Sequence, residues 1–200
     1  YDGNLSNDGD RLTLLDAANA VIHDFIYNDR FPWPESPDGD GFSLALISPQ
    51  RKPLPDHAEP RNWRPSVAPG GSPGISDEIP FTGEPHADSN QNGIADLLDH
   101  ALGNHGTSPS YSPRVEIVSL DAGDGDPQTF LTITFRRNLA ADDVLYSVES
   151  STNLETWSAD AGVFLSTINL GDGRTVETWR SSAPIPDQRR QYLRLRVATK

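Results

Sequence analysis

The sequence predicts an all-β protein made of two β-sandwich modules, joined by a proline- and glycine-rich linker that carries one short helix. Three observations support this fold class. Apolar and polar residues alternate in short runs, which is the period of a strand with one buried face. Turn-forming glycine, aspartate and asparagine separate these runs. Twelve of the 17 prolines lie between Pro32 and Pro85, which argues against long helices there.

The N-terminal module is predicted to span residues 1–75. Its predicted strands are 11–15, 21–27 and 42–46. Residues 68–74 contain three glycines and two prolines, a composition typical of chain that leaves a folded module. The linker is therefore assigned to residues 76–108.

The C-terminal module, residues 109–200, has the pattern of a complete β-sandwich. Its predicted strands are 115–120, 129–135, 144–150, 163–168, 175–179 and 192–197. The last of these alternates most clearly, because Leu193, Leu195 and Val197 are separated by two arginines. Six short strands over about 90 residues, with turns between them, indicate an Ig-like or fibronectin-III-like sandwich.

Composition excludes several classes of function. The 200 residues carry a net charge of −13, so sequence-independent binding to nucleic acid is not expected. No apolar run approaches the ~20 residues of a membrane span. With no cysteine, disulfides and thiolate metal sites are excluded. An acidic chain of this kind, which starts at Tyr1 and contains no methionine, favours a piece of a larger secreted or surface protein of bacterial type.

Residues 88–99 have the spacing of a twelve-residue calcium loop. Oxygen-bearing side chains occupy positions 1, 3, 5, 9 and 12, and position 7 offers its backbone carbonyl. The predicted calcium ligands are Asp88, Asn90, Asn92, Ile94, Asp96 and Asp99. Gly93 at position 6 permits the sharp reversal that such a loop requires. The alternative is a solvated acidic turn, in which three crowded carboxylates would repel one another.

A short helix is predicted to leave this loop at residues 95–102. Three leucines and an alanine form two i,i+4 pairs on one side of it, and Gly103 suits the position after its last turn. No helix precedes the loop, because Pro85 lies just before it. The arrangement therefore differs from an EF-hand.

Residues 3–74 resemble the second half of a bacterial lamin-tail domain. The matching segments are GNLSNDGDRLTLLD at 3–16, FIY at 25–27, WP at 33–34, DGDGFSL at 38–44, NWR at 62–64 and GGSPG at 70–74. The resemblance implies an immunoglobulin-like β-sandwich without catalytic residues, used as an accessory module. The first half of that family's pattern is absent, so we expect an incomplete sandwich with an apolar face and open edges. The C-terminal module, another chain or sequence outside this one must cover them.

Two further resemblances concern the rest of the chain. Residues 88–102 resemble a thrombospondin type 3 or dockerin-like calcium loop, families in which no entering helix is needed. The departures are asparagine at positions 3 and 5 and aspartate at position 12, which predict weak binding. Residues 115–197, with YSVESSTNLETW and YLRLR, are similar to C-terminal sandwich domains of bacterial secreted proteins.

No motif supports catalysis. Residues 70–74 match the Gly-x-Ser-x-Gly pattern, but Pro73 lacks the N–H that the oxyanion needs after the serine. The sequence therefore predicts a non-catalytic structural or interaction module with a calcium-stabilised connector. Its expected partners are calcium and either another domain of the parent protein or a cell-surface molecule. The alternatives are a carbohydrate-binding accessory module, suggested by four tryptophans, and a fragment of a hydrolase.

Overall fold

The computed structural model describes residues 5–6, 8–49, 54–104, 111–121, 125–159, 162–185 and 190–200. In these segments the chain forms mainly strands. The elements are β1 (Asp10–Leu15), β2 (Val21–Tyr27), β3 (Leu44–Leu46), β4 (Trp63–Pro65), α1 (Asp96–Leu102), β5 (Arg114–Asp121), β6 (Pro127–Asn138), β7 (Val144–Ser151), β8 (Gly162–Asn169), β9 (Arg174–Ser181) and β10 (Tyr192–Thr199). Two short 3-10 helices cover Leu54–Ala58 and Pro60–Asn62. The predicted all-β class is confirmed.

The nine predicted strands all occur, and the structure adds β4. This three-residue strand pairs antiparallel with β3 and places Leu44 opposite Pro65. Proline removes a backbone donor, so a segment that contains one has little strand signal in the sequence. None of the described helices is long and apolar enough to cross a membrane.

The chain divides into two compact units. The first comprises Tyr1–Ile79 with Gly171–Gly173, and the second comprises Pro80–Leu170 with Arg174–Lys200. The first unit extends past residue 75 because Asp77 pairs with the buried guanidinium of Arg64 at 2.6 Å. Residues 80–104, which the sequence assigned to the linker, belong to the second unit.

The first unit contains two small antiparallel sheets, β1–β2 and β3–β4. An aromatic cluster lies in this unit, where Phe25 of β2 stacks on Trp63 of β4 with ring centroids 5.4 Å apart. Trp33 adds a third ring, 6.0 Å from Trp63. Large apolar side chains of β1 and β2 remain exposed, among them Val21 at 61% and Ile26 at 64%.

The second unit places a four-stranded sheet, in the order β5-β6-β9-β8, beside the β7–β10 pair. The two sheets and α1 share one core, an arrangement that fits a β-sandwich. Its buried members are Leu102, Leu131, Ile133, Phe135, Val148 and Leu193. In β10 the arginines at 194 and 196 are exposed while Leu193 is buried, so the alternation predicted for this strand is confirmed.

Candidate metal site

Helix α1 fixes the last position of the candidate loop. Its apolar residues Leu97, Ala101 and Leu102 are buried, and Leu102 is fully enclosed in the core of the second unit. The helix ends at Gly103, whose φ of +66° allows its N–H to reach the carbonyl of His100 at 3.2 Å. The predicted helix is therefore confirmed, and Asp99 lies on a rigid element of the second unit.

The backbone of the loop is folded around Asp88. Its two carboxylate oxygens accept the N–H groups of Asn92 at 3.0 Å and Gly93 at 2.9 Å. The N–H of Asp96 donates to the carbonyl of Ala87 at 2.7 Å, which closes the loop at its base. Gly93 has a φ of +85°, as the sharp reversal at position 6 requires.

Two of the predicted ligands, Asn90 and Asn92, converge on the carboxylate of a third, Asp99. Asp99 is only 5% exposed, and its Oδ2 atom accepts hydrogen bonds from Nδ2 of Asn90 at 2.9 Å and Nδ2 of Asn92 at 2.7 Å. The Oδ1 atom of Asn92 accepts the N–H of Ile94 at 2.8 Å. Loop positions 3, 5 and 12 are thus in contact, because the side-chain amides at positions 3 and 5 donate to the buried carboxylate at position 12.

Asp96, at position 9, is engaged differently. Its carboxylate accepts the hydroxyl of Ser89 at 2.6 Å and the Ser89 N–H at 2.9 Å. These two hydrogen bonds hold the pKa of Asp96 below its ordinary value. Within the described ranges, no group of three or more acidic, histidine or cysteine side chains is placed to hold a metal ion. The carboxylates of the loop are therefore not gathered at one point, and the convergence on Asp99 is made by amides.

Asn104 is a residue of this site that the sequence analysis missed. Its Nδ2 atom donates to Oδ1 of Asp99 at 2.8 Å and to the carbonyl of Tyr111 at 3.1 Å. Its Oδ1 atom accepts the Tyr111 N–H at 3.1 Å. No ligand spacing includes position 104. Its place directly after the helix-ending glycine is the one signal that could have drawn attention to it.

The tryptophans do not form an exposed stacking platform. Trp33 and Trp63 belong to the aromatic cluster of the first unit, and Trp33 is 8% exposed. Trp157 lies under the guanidinium of Arg194 at 4.0 Å, and Trp179 meets the ring of Phe164 edge-on. Since all four are buried or half-buried, their placement does not favour the carbohydrate-binding alternative.

Fold and site together define an all-β protein with a folded, acidic loop that leads into a short packed helix. No protein-family model matches the sequence, and neither a curated protein nor a solved structure matches it. The resemblances to a lamin-tail domain, to a calcium loop and to bacterial C-terminal sandwich domains therefore stay predictions.

Proposed function

We propose that the chain is a non-catalytic structural or interaction module of a larger secreted or surface protein. In this proposal both units are β-sandwiches of the Ig-like kind, the first of them incomplete, and calcium stabilises residues 88–99, which the sequence assigned to the linker and which lie in the second unit. The observation that carries the proposal is the convergence of Asn90 and Asn92 on the buried carboxylate of Asp99. It occurs in a loop whose length and glycine position suit calcium.

The chemistry of the donor set supports a hard cation. Every candidate ligand offers oxygen, as carboxylate, amide or backbone carbonyl, and calcium takes six to eight oxygen ligands. The residues that would hold it are Asp88, Asn90, Asn92, Ile94, Asp96 and Asp99. Bound calcium would supply positive charge to Asp99, the role that amide N–H groups fill in the structure. Two neutral amides among the ligands place the affinity in the weak extracellular range of about 10⁻⁴–10⁻³ M.

The effect of calcium would be mechanical, since α1 connects the loop to the sheets. Nδ2 of Asn138 donates to the carbonyl of His100 at 3.0 Å, and the Tyr146 hydroxyl donates to the carbonyl of Ala101 at 2.8 Å. Burial raises the pKa of Tyr146, so its phenol stays protonated as a donor. A loop that is ordered by calcium would therefore fix the position of α1. Helix α1 in turn packs in the core of the second unit.

Calorimetric titration of the whole chain with calcium tests the proposal. We expect one saturable site, little response to magnesium, and loss of binding in Asn92→Ala. Gln91→Ala is the matched control, because this exposed amide lies at position 4 and is not a predicted ligand. Absence of saturable binding up to ~10⁻² M, above the weak extracellular range, would contradict the proposal.

A further inference from the structure

Strand β5 is an outer strand of the four-stranded sheet in the second unit. Among the described residues its only strand partner is β6, and this pairing runs without a register shift from Arg114, opposite Thr134, to Asp121, opposite Pro127. The other edge of β5 therefore carries backbone groups that no described strand pairs with. Such an edge is a template for a further strand.

The apolar inner face of this sheet continues onto β5. Val115 lies opposite Ile133 and Ile117 lies opposite Leu131, and residues that are paired in this way point to the same face of a sheet. Ile133 and Leu131 belong to the core, whereas Val115 and Ile117 are exposed, Ile117 at 69%. The opposing sheet has two strands against four. It therefore leaves an apolar surface open on the inner side of β5.

The other outer strands of the second unit have features that oppose the addition of a strand. The pairing of β8 with β9 shifts register between Phe164 and Ser166, as at a β-bulge. In β10 the exposed arginines at 194 and 196 place charge along the edge. The backbone of β7 exchanges hydrogen bonds with Ser158 at 2.9 and 3.1 Å. Since β5 contains neither a bulge nor a proline, it is the most open edge of this unit.

The charges of β5 favour a second β5 that runs antiparallel to the first. Arg114 pairs with Glu116 of the same strand, so the acidic residue near the middle is neutralised. Asp121 carries the opposite charge to Arg114 at the other end of the strand. Antiparallel pairing places the basic start of each strand beside the acidic end of the other. Parallel pairing would set like charges opposite each other, which is destabilising.

We propose that β5 forms the contact of a homodimer, in which the β5 strands of two chains pair antiparallel about a two-fold axis near Ile117. The two four-stranded sheets then form one continuous sheet, and the Ile117 side chains of the two copies meet at the axis. The contact is one strand wide, so it belongs to the small interfaces below about 1,200 Å², and the dimer is weak. The proposal does not depend on calcium.

Sedimentation of the full chain over a range of concentrations tests the dimer. It is measured at ~0.15 M salt, where repulsion between the acidic chains is screened beyond about 8 Å. We expect a reversible equilibrium between monomer and dimer without larger species, because a two-fold contact is closed. A chain that stays monomeric at millimolar concentration, or one that forms larger oligomers, would overturn the proposal.

Amide hydrogen exchange locates the contact on the backbone. In an antiparallel pair every second residue of a strand directs its N–H group to the same neighbour. Alternate amides of β5 should therefore exchange more slowly as the concentration of the chain rises. A dimer in which the amides of β5 exchange as they do in the monomer would show that the contact lies elsewhere, and would refute β5 pairing.

Variants of Ile117 test the side chains at the axis. Ile117→Lys sets two like charges against each other and should weaken the dimer about tenfold or more. Ile168→Lys is the matched control, since it makes the same change at a position of β8 that is 62% exposed, and it should leave the dimer unchanged. Both positions are exposed, so folding should be preserved in each variant.

A mixing experiment separates a lost contact from a damaged fold. Ile117→Glu should weaken the dimer as Ile117→Lys does, but an equal mixture of the two variants should associate again, because opposite charges then meet at the axis. Dimerisation of Ile117→Lys that equals that of the wild type, or a mixture that stays monomeric, would contradict the pairing of β5 with β5.

Discussion

Nδ2 of Asn104 donates a hydrogen bond to Oδ1 of Asp99 across 2.8 Å, and the same amide is bonded to both backbone groups of Tyr111. Asp99 is held from the other side by the amides of Asn90 and Asn92. One buried carboxylate therefore ties the candidate calcium loop to the chain that leads into β5. Because of this link, a change in the conformation of the loop should change the stability of the second unit.

Asn104→Ala should weaken both folding and calcium binding. Oδ1 of Asp99 would lose its amide donor in a buried place, which lowers the free energy of unfolding by about 1–3 kcal/mol. Removal of a group that orients a metal ligand typically reduces affinity about 10–100-fold. Urea unfolding and calorimetry measure the two effects, with Gln91→Ala as control. An unchanged calcium affinity would show that Asn104 does not position Asp99.

Leu102→Ala should be one of the most damaging changes in α1. This side chain is fully buried against β6, β7 and β10, so a cavity would remain and the free energy of unfolding would fall by about 2–5 kcal/mol. The matched control is Leu145→Ala, a leucine of β7 that is 52% exposed and should change stability by about 0.5 kcal/mol or less. Equal losses in the two variants would mean that α1 is not packed on the core.

Gly103→Ala should disturb the end of α1 for two reasons. The φ of +66° strains any residue with a side chain, and an added Cβ would lie 2.8 Å from Cδ of Arg174. We expect a loss of about 1–3 kcal/mol in the free energy of unfolding. Gly125→Ala separates the two causes, because Gly125 also has a positive φ but its Cβ would meet nothing within 4 Å. Thermal melts should show the smaller loss for Gly125→Ala.

The Arg64–Asp77 pair should make the first unit sensitive to acid. Burial raises the pKa of Asp77, but the Arg64 guanidinium and the Val67 N–H outweigh it, so the pKa lies below its ordinary value. A carboxyl group whose pKa is lower in the folded state than in the unfolded state stabilises the fold at pH values above its unfolded pKa of about 3.9. This contribution is lost as the pH falls through the lower pKa of the folded state. Unfolding of the first unit, followed by tryptophan fluorescence, should become easier below pH ~4.

Asp77→Asn tests the same pair at neutral pH. The buried Arg64 charge would lose its carboxylate, which should cost about 3 kcal/mol of the free energy of unfolding. The variant should also lose most of the acid dependence that the pair causes. Glu59→Gln, at an exposed position, should change neither the free energy of unfolding at neutral pH nor its dependence on acid. A difference between wild type and Asp77→Asn that stays constant from neutral to acid pH would contradict this role.

Most strands could be predicted because their sequence has the period of a half-buried strand, as Leu193 and its neighbours in β10 show. The helix could be predicted from its leucine spacing and from Gly103. β4 could not, because Pro65 conceals a strand that forms only by pairing with β3. The spacing of residues 88–99 predicted the loop, and stays the basis for the calcium prediction.

The period of apolar residues and the spacing of ligands do not predict contacts between positions that are far apart in the chain. The bond from Asn104 to Tyr111 depends on how the chain returns after α1, and no local period encodes it. The engagement of Asp96 by Ser89 is local, but a ligand-spacing argument does not distinguish it from metal coordination.

The most direct measurement of the central claim is thermal unfolding of the whole chain with increasing calcium. At tenfold the dissociation constant, calcium should stabilise by about 1.4 kcal/mol, which corresponds to a rise of about 3–6 °C in Tm. Asp88→Ala and Asp99→Ala should abolish this rise, while Gln91→Ala should keep it. A wild-type Tm that does not change at millimolar calcium, or an equal rise in the two aspartate variants, would contradict a calcium site at residues 88–99.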